Sequence, residues 1–425
     1  MLKQLDTTSI LHHTEVVGLE GDITRLRVGP SFAGEVFEPD LGSLGYIVID
    51  STVNGWCCGG VRMSPDVSLP EVADLARAMT LKFGYVRSYM GGAKIGIRLD
   101  PESCPDYKRR LLKAFGKALV TVLKDHNYIF GTDMGTTLED IHAILEAAGI
   151  KAPRNTADSK AEFYTGLTVL AAAEAAARYR GLDIAKCTLA VEGFGKVGGT
   201  VARLFSEKGA KVVAISTAQG AIYDEKGLNI DKAIELYHQV GDRVVEVYDS
   251  VQRIKRNELL ELPVTILSPC AGWHSINSEN ALRVAARIIC PGANASIAPD
   301  AEKVLTERGI LSIPDFIANC GGVLADSLDA AGRDFTKGLI EKRIGTSVAR
   351  ILNDATNRGL PVREVAESIA KERFCSLKLV AESRKGKILG KASRLAFKRY
   401  QRTPLPELFI RPLLAWYAIR RMKRL

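Results

Sequence analysis

The segment Cys187–Thr217, CTLAVEGFGKVGGTVARLFSEKGAKVVAIST, decides the predicted fold of this chain. It begins with an apolar run typical of a buried strand, passes through a glycine turn into an amphipathic helix, and ends in a second apolar run. Further apolar runs follow at VTILSP, RIICPG and GILSIP, each leading into a polar loop with glycine or proline. This alternation predicts an α/β domain with a doubly wound parallel sheet.

The glycine turn is Gly193-Phe194-Gly195-Lys196-Val197-Gly198, which matches the pattern G-x-G-x-x-G. The pattern is weak alone, but here it follows a predicted strand and opens a predicted helix, the context in which it binds dinucleotides. Glycines permit a tight turn and close approach of a pyrophosphate, which the N–H groups at a helix N-terminus attract. We therefore predict that all six residues contact NAD or NADP.

The strand after this helix ends in Ser216 and Thr217, where many NAD-binding proteins carry an acidic residue for the adenosine ribose. Small hydroxyl residues neither require a free 2′-hydroxyl nor repel a 2′-phosphate. Ser216 and Thr217 are therefore predicted cofactor contacts, and the choice between NAD and NADP stays open.

The remainder of the 425-residue chain has a different pattern of apolar and polar residues. Before residue 155, helices are predicted over about 70–89 and 106–125, and strands at AKIGIRL and NYIF. Ser68 and Glu71 fit a capping box for the first helix. We expect a substrate-binding and catalytic domain with a mixed sheet, a Rossmann-like dinucleotide-binding domain, a helical segment that packs back on the first domain, and a basic amphipathic tail. The substrate-binding and catalytic domain is expected at residues 1–154 and the dinucleotide-binding domain at 155–329. The helical segment is expected at 330–375 and the basic tail at 376–425.

Charge is concentrated in that tail. The net charge is +9, but residues 376–425 carry 14 Lys/Arg and 2 Asp/Glu, so the preceding chain is mildly acidic. An acidic body argues against nucleic-acid binding. The tail is expected to contact an anionic membrane surface or a protein partner, or to pack on a neighbouring subunit. Its prolines argue against one continuous helix.

The cysteines and histidines limit the kinds of metal and disulfide chemistry that are expected of the chain. The eight cysteines form no Cys-x-x-Cys pair, and the six histidines make no metal-ligand pattern, so free thiols and no metal site are expected. No apolar run reaches the roughly eighteen residues of a transmembrane helix, and the start lacks a secretory pattern. These features favour a cytoplasmic enzyme.

A second informative stretch is MGGAKIGI, Met90–Ile97, in which one lysine stands among glycines and apolar residues. A Walker phosphate loop is excluded because Ile95, and not serine or threonine, follows Lys94. Two interpretations remain. Lys94 belongs to a glycine-rich turn and points into water, or it acts on a ligand that the glycines allow to come close.

Several segments together resemble the glutamate/leucine/phenylalanine/valine dehydrogenase family, and they occur in the family's order. Besides the glycine turn, they are GGVRM (Gly59–Met63), MTLK (Met79–Lys82), GGAK (Gly91–Lys94), GTDMGT (Gly131–Thr136), Thr165-Gly166, PGAN (Pro291–Asn294) and NCGGV (Asn319–Val323). The resemblance implies reversible NAD(P)-dependent oxidative deamination of an L-amino acid to the 2-oxo acid and ammonia. It also implies a homo-oligomer whose site lies in the cleft between two domains.

The resemblance assigns roles to three charged residues. Lys82 would bind the substrate α-carboxylate, and Asp133 would exchange protons with the substrate amine. Lys94, partly desolvated and beside the cation Lys82, would have a lowered pKa and act as general base to water.

Each of these residues also has an ordinary structural interpretation. Lys82 and Lys94 could be solvated at a helix end and a turn, and Asp133 could cap a helix that begins near Thr137. Arg62 is expected to be an ion-pair partner near the pocket.

The remaining implied contacts belong to the substrate pocket and the nicotinamide. Gly59 and Gly60 lie on the substrate-pocket strand. Thr165 would contact the nicotinamide amide, Asn294 would lie beside the nicotinamide, and Asn319 would lie beside both nicotinamide and substrate.

Departures from the family bear on the substrate. Glutamate-specific members carry a lysine directly before the Gly-Gly of the pocket strand, but this chain has Cys58 there, which favours an apolar or aromatic side chain. Asp326 falls where the family has a small or apolar pocket residue, so it either binds a polar group or simply starts a helix. Trp273 and His274 replace a frequent asparagine. A competing hypothesis is a catalytically idle relative that acts as a sensor or scaffold through its tail.

Overall fold

The computed structural model describes residues 1–5, 15–19, 22–150, 160–324 and 333–388. These residues form two compact units. The first unit contains the described residues up to 150 together with 369–388. The second unit contains 160–324 and 333–368.

Strands occur in both units. They are β1 (Leu2–Gln4), β2 (Glu15–Leu19), β3 (Asp22–Val28), β4 (Phe32–Glu38), β5 (Gly42–Ile49), β6 (Trp56–Cys58), β7 (Val61–Met63), β8 (Gly91–Ile97), β9 (Asn127–Ile129), β10 (Thr188–Glu192), β11 (Lys211–Thr217), β12 (Gly220–Tyr223), β13 (Gln252–Ile254), β14 (Ile266–Pro269), β15 (Ile288–Ile289) and β16 (Leu311–Ser312).

Helices connect and cover these strands. They are α1 (Leu69–Tyr85), α2 (Pro105–Asp125), α3 (Leu138–Ala147), α4 (Ala161–Tyr179), α5 (Lys196–Glu207), α6 (Ile230–Val240), α7 (Val244–Val247), α8 (Arg256–Leu260), α9 (Pro299–Glu307), α10 (Asp315–Ala318), α11 (Arg333–Arg358) and α12 (Val362–Glu382).

The first unit is built on a mixed sheet, as the sequence predicts. The strand order is β1-β4-β5-β8-β6-β9, with β7 also paired to β8. β5 runs antiparallel to β8, whereas β6 and β7 run parallel to it. Because side chains alternate along β8, Ala93, Ile95 and Ile97 pack into the core formed with α2 and α3. The other face of β8 lies against α1.

Helix α1 begins at Leu69, near the predicted start, with only the Ser68 half of the predicted capping box, because the Glu71 carboxylate pairs with Arg62; the helix ends earlier than predicted. The Ser68 hydroxyl accepts the N–H of Glu71 at 3.4 Å and caps the helix. The helix ends at Tyr85 because Arg87 adopts the left-handed conformation, with φ of 55°. Ser88 N–H then bonds to the Phe83 carbonyl, as in a Schellman termination.

The glycine pair after α1 lies inside a strand, which corrects the expectation that it forms a turn open to a ligand. Gly91 and Gly92 are the first residues of β8. A Cβ on Gly91 would lie 2.0 Å from the Ser51 carbonyl oxygen, and one on Gly92 would lie 2.2 Å from the Thr80 backbone nitrogen. Only glycine lets this strand approach its neighbours so closely, so the pair serves packing.

The second unit contains the predicted doubly wound sheet. The strand order is β13-β12-β11-β10-β14-β15-β16, and β11, β10, β14, β15 and β16 are parallel. The chain passes from β10 to β11 on one side and later to β14 on the other. The switch point therefore lies at the carboxyl end of β10, where ligands of such sheets bind. β12 and β13 add an antiparallel edge that the sequence does not predict.

The helical segment after residue 330 differs from its expected position. Helix α11 packs along α4, and described residues up to 368 belong to the second unit. The physical reason is composition: α4 is rich in buried alanines, and α11 presents buried Ile344, Val348 and Ile351. Only residues from 369 onward join the first unit.

The predicted tail also begins later than expected. α12 continues through Glu382, and Phe374 and Ala381 are buried with Val53 in a core cluster of the first unit. Residues 389–425, which hold most of the predicted tail, lie outside the described residues. Among the described helices, none combines the length and apolarity needed to span a membrane.

Candidate active site

Lys94 shares one face of the first unit's sheet with residues of the neighbouring segment. In the parallel pairs of β6, β7 and β8, Cys58 aligns with Gly92 and Val61 aligns with Ile95. Paired residues of parallel strands point to the same side, so Cys58, like Gly60, shares the face of Lys94. This face is the one that carries the predicted catalytic lysine.

Lys94 and Asp133 form a close ion pair. The Lys94 Nζ lies 2.6 Å from the Asp133 Oδ2, and the side chains are 3% and 26% exposed. A buried amine beside a carboxylate that solvent reaches has the geometry for proton transfer to a small molecule. The interpretation of Lys94 as a solvated turn residue does not fit this burial.

Arg62 joins the same cluster. Its Nε lies 3.2 Å from Asp133 Oδ2, and its Nη1 lies 2.6 Å from Glu71 Oε1. The sequence predicts an ion-pair role for Arg62, but it assigns Glu71 only to the helix cap. Glu71 is therefore a member of the cluster that the sequence does not predict. No local sequence pattern links Glu71 to Arg62.

The loop after β9 holds Asp133 in place. The Thr136 hydroxyl accepts the Asp133 N–H at 3.0 Å and lies 2.8 Å from the Val61 carbonyl, to which it donates. The next residue, Thr137, caps α3 in a capping box with Asp140. Asp133 is thus not the cap of this helix, and the helix-cap interpretation is wrong.

The pKa values of the pair follow from burial and charge. Burial lowers the pKa of Lys94; Asp133 raises it and Arg62 lowers it, and the net direction is down. Burial alone would raise the pKa of Asp133, but Lys94 and Arg62 outweigh it and lower that pKa below its ordinary value. The neighbouring cation that acts on Lys94 is thus Arg62, where the sequence analysis named Lys82. Lys82 itself is buried in the last turn of α1.

Gly59 and Gly60 are each required to be glycine, but for different structural reasons. A Cβ on Gly59 would lie 1.6 Å from the Ala93 carbonyl oxygen, so this glycine is required by strand packing. A Cβ on Gly60 would lie 2.9 Å from the Asp133 Cβ and 3.4 Å from the Lys94 Nζ. Gly60 therefore keeps the space beside the ion pair clear.

Cys58, Ile129 and Met134 are related to the pair by strand register or by sequence. Half-buried Cys58 aligns with Ile129 in the parallel pair of β6 and β9, so the two side chains share a face. Ile129 is 37% exposed, and Met134, next to Asp133 in the chain, is 46% exposed. Exposed apolar groups beside a buried ion pair are what a hydrophobic ligand group would cover.

In the second unit, the glycine loop has the geometry that a dinucleotide pyrophosphate requires. Gly193 has φ of +84°, and a Cβ on Gly198 would lie 1.9 Å from the Gly193 carbonyl oxygen. Gly195 is the N-cap of α5 and provides no side-chain cap. A Cβ on Gly195 would find its nearest neighbour, the Tyr237 hydroxyl, at 3.9 Å, so the space above it is open.

The hydroxyl groups of Ser216 and Thr217 bind neighbouring loops and do not face open space. The Ser216 hydroxyl accepts the Gly193 N–H at 3.0 Å, and the Thr217 hydroxyl donates to the Asp242 carbonyl at 2.6 Å. Both side chains are buried. The expectation that these hydroxyls face an adenosine ribose does not match this geometry, because both are already engaged.

The other residues of the predicted loop divide by exposure. Phe194 is buried and packs edge-on against the Tyr237 ring at a centroid distance of 5.9 Å. Lys196 is exposed and Val197 is half-buried. Of the loop's side chains, only these two face outward.

The predicted nicotinamide contacts come from three chain segments. The Asn319 side chain is buried, and neither its nitrogen nor its oxygen has a hydrogen-bond partner among the described residues. The loop that follows it is held against α4, because Gly321 N–H bonds to the Thr168 hydroxyl at 3.1 Å and a Cβ on Gly322 would lie 3.0 Å from the Thr165 hydroxyl. A buried amide without partners fits a ligand amide or carboxylate.

Asn294 and the residues around it form a strained loop. Ala295 has φ of +48°, and its N–H is held by the Asp315 carboxylate at 2.8 Å. His274, with φ of +48°, stacks on Trp273 and bonds through its N–H to the Ala295 carbonyl at 2.9 Å. Asp326 lies outside the described residues.

Metal ligands are not grouped in the part of the chain that the structure describes: no three His, Cys, Asp or Glu residues there converge on a common point. None of the eight cysteines, all of which lie in the described segments, forms a disulfide.

A mixed-sheet unit with a buried lysine–aspartate pair, joined to a doubly wound unit with a glycine loop, defines the class of dinucleotide-dependent dehydrogenases. The model of the Glutamate/Leucine/Phenylalanine/Valine dehydrogenase family matches residues 159–382, and that of the Glu/Leu/Phe/Val dehydrogenase dimerisation domain matches residues 40–149. The chain belongs to this family.

Similar proteins include glutamate dehydrogenase of Thermotoga maritima, 35% identical over 293 residues that cover 66% of this chain and 70% of that protein. NAD-specific glutamate dehydrogenase of Staphylococcus aureus is 32% identical over 292 residues, with 66% and 70% covered.

Among solved structures, the hetero-hexameric glutamate dehydrogenase from Thermus thermophilus in its Leu-bound form superposes with a TM-score of 0.65 and 28% identity, over 81% of this chain and 87% of that one. L-tryptophan dehydrogenase from Nostoc punctiforme gives a TM-score of 0.55 at 23% identity, over 82% and 97%. The second likeness is one of fold.

Proposed function

We propose that this protein catalyses the reversible NAD(P)-dependent oxidative deamination of an L-amino acid with an apolar or aromatic side chain, giving the 2-oxo acid and ammonia. The observation that carries the proposal is the buried Lys94–Asp133 pair, 2.6 Å apart, in a chain of the amino-acid dehydrogenase family. A sensor or scaffold would have no use for this pair, whose burial is costly.

The proposed mechanism divides proton transfer between the two residues. Asp133 accepts a proton from the substrate ammonium, which leaves the amine ready for oxidation. The nicotinamide coenzyme, when held by the glycine loop, would supply the acceptor for the hydride that leaves the substrate Cα. Lys94, in its neutral form, takes a proton from the water that adds to the resulting iminium carbon. Asp133 returns a proton to the nitrogen, the C–N bond breaks to release ammonia, and the hydroxyl proton of the carbinolamine passes to solvent as the 2-oxo acid forms.

Binding roles follow from the family and from burial. Lys82 would hold the substrate α-carboxylate, and Asn319 would supply amide hydrogen bonds to the ligand. Thr165 and Asn294 would contact the nicotinamide. The main-chain N–H groups of residues 195–198 would hold the pyrophosphate.

An apolar substrate is supported by the character of residues related to the ion pair by strand register or sequence. Cys58, Ile129 and Met134 offer neither a cation nor a hydrogen-bond donor stronger than a thiol, so a substrate carboxylate would lose its water without replacement there. Glutamate, the substrate in the names of most similar proteins, is therefore the competing candidate that the experiment must include.

NAD and NADP are both proposed as coenzymes. Ala218 and Gln219, exposed after β11, carry no charge that would repel a 2′-phosphate or bind it. We also infer a homo-oligomer, since one matched family model describes a dimerisation domain. A cytoplasmic location and a contact of residues 376–425 with a membrane surface or partner stay predictions.

The test is the formation of reduced nicotinamide, followed by absorbance, with NAD or NADP and each standard amino acid. The proposal predicts turnover with one or more apolar or aromatic amino acids and its loss in Lys94→Ala. Turnover with glutamate alone would overturn the substrate assignment. Coenzyme binding without turnover of any amino acid would favour the sensor hypothesis.

A further inference from the structure

Glu192 is a buried acid that the proposed mechanism does not use. It is the last residue of β10 and directly precedes Gly193, so it lies at the switch point of the sheet. Its side chain is on the face of β10 that carries Ala190, which packs with Leu259 and Leu260 of α8. Only 4% of Glu192 is exposed.

The surroundings of Glu192 compensate its carboxylate only in part. The neighbouring Ser275 hydroxyl favours the ionised form, whereas Oε2 has no hydrogen-bond partner among the described residues. An ionised carboxylate buried in this way loses hydration without full compensation. The neutral acid costs less, because its own proton satisfies part of the hydrogen-bonding capacity.

The titratable and charged groups around Glu192 come from two elements. Arg256, exposed at the start of α8, acts on it through its charge. Cys270, which follows β14, bonds through its N–H to the Glu192 carbonyl oxygen at 2.7 Å. Burial raises the pKa of Glu192, the neighbouring Ser275 hydroxyl and the charge of Arg256 oppose this, and the net direction is up. The pKa of Cys270 is raised to about 12, so this thiol stays neutral.

We propose that Glu192 couples dinucleotide binding to proton uptake, so that its carboxyl group is protonated in the complex. The inference rests on the dinucleotide site of the proposed function. A pyrophosphate held at the start of α5, whose N-cap Gly195 follows Glu192 by three residues, would add negative charge at the carboxyl end of β10 and displace water there. Both changes disfavour the carboxylate form.

The coupling has a defined sign. Where the free protein holds Glu192 ionised, binding must first restore the proton, so affinity falls as pH rises, by at most about tenfold per pH unit for one proton.

The experiment measures NADH binding by fluorescence from about pH 6 to about pH 9, where histidine also titrates. It compares wild type with Glu192→Gln, which keeps the shape and cannot ionise. Titration calorimetry in two buffers of different ionisation enthalpy counts the protons taken up. The expected result is that Glu192→Gln binds NADH with less proton uptake and a flatter pH dependence than wild type.

His274 lies beside Ser275 and is retained in both wild type and Glu192→Gln, so its contribution cancels in the comparison.

Arg256→Gln is a second variant at an exposed position, which keeps the proposal testable if Glu192→Gln fails to fold. Removal of this cation raises the pKa of Glu192, so the loss of affinity should begin at a higher pH. Equal proton uptake in wild type and Glu192→Gln, or an unshifted curve in Arg256→Gln, overturns the inference. A wild-type protein that binds neither NADH nor NADPH at any pH would instead overturn the proposed function.

Discussion

Arg62 and Lys94 contact the same carboxylate oxygen, Oδ2 of Asp133, at 3.2 Å and 2.6 Å. Two cations therefore share one anion, and Arg62 is itself paired with Glu71 on α1. Since a guanidinium does not release its proton in proteins, Lys94 is the member of this cluster that can lose one. The protonation of Lys94 is thus set by residues on three segments.

Replacement of Lys94 by alanine should reduce turnover by about 10²–10⁴-fold, the usual contribution of a general base. Coenzyme affinity should remain, because the glycine loop is in the other unit. The measurements are reduced-nicotinamide formation and NADH fluorescence. Lys113→Ala, at an exposed position of α2, is the matched control and should retain activity. Equal loss in both variants would contradict a specific role for Lys94.

Asp133→Asn should shift the pH dependence of kcat/KM as well as slow the reaction. Asp133 raises the pKa of Lys94, so its neutral replacement lets that pKa fall further. The neutral form of Lys94 is the active one, so the acid limb of the profile should move to lower pH. A limb that stays in place would show that Lys94 does not govern it.

Arg62→Gln should move the same limb in the opposite direction, because Arg62 lowers the pKa of Lys94. The variant also leaves Glu71 without its buried partner, which should cost about 3–5 kcal/mol in the free energy of unfolding. The double variant Arg62→Gln/Glu71→Gln should recover part of that loss in urea denaturation. No recovery would mean that the two side chains do not stabilise the fold as a pair.

Gly195→Ala and Gly198→Ala should separate binding from folding. A Cβ at 195 meets nothing closer than 3.9 Å, so the fold should be kept, while a methyl group there occupies the space of the pyrophosphate and weakens NADH binding. A Cβ at 198 would lie 1.9 Å from the Gly193 carbonyl oxygen, so this variant should lower the melting temperature. Full NADH affinity in Gly195→Ala would argue against a pyrophosphate at this loop.

Cys58→Lys should increase the preference for glutamate over an apolar amino acid. A charge-assisted hydrogen bond contributes about 1.5–3 kcal/mol, which corresponds to about 10–150-fold in kcat/KM. Cys58→Met is the control, because it lengthens the side chain without charge. An unchanged ratio of kcat/KM for glutamate and the apolar substrate would place position 58 outside the side-chain pocket.

The sequence predicts those features that depend on neighbouring residues. The β10–loop–α5–β11 unit follows from a local order of apolar runs and glycines, and Ser68 caps α1 through a bond across three positions. β12 was missed because the turn at Ala218 and Gln219 lacks the usual Asn-Gly or Asp-Gly signal of a hairpin.

Features set by packing could not be predicted from local patterns. Gly91 and Gly92 resemble a helix-breaking turn, yet they begin a strand because the backbone of α1 and the segment before β6 press against them. The approach of Arg62 to Lys94 and Asp133 requires β7, β8 and the loop after β9 to be neighbours in space. Sequence spacing carries no information about that charge balance.

The Ser216 hydroxyl, which accepts the Gly193 N–H, has a consequence for how this protein could acquire a strict coenzyme preference. A charged residue at 216 would lose that bond and disturb the turn before it could recognise any ribose. Selection or design for NADP is therefore directed to Ala218 and Gln219, where the backbone already turns outward and a new cation would disturb no existing hydrogen bond of the loop. Coenzyme choice and loop integrity are separable traits in this chain.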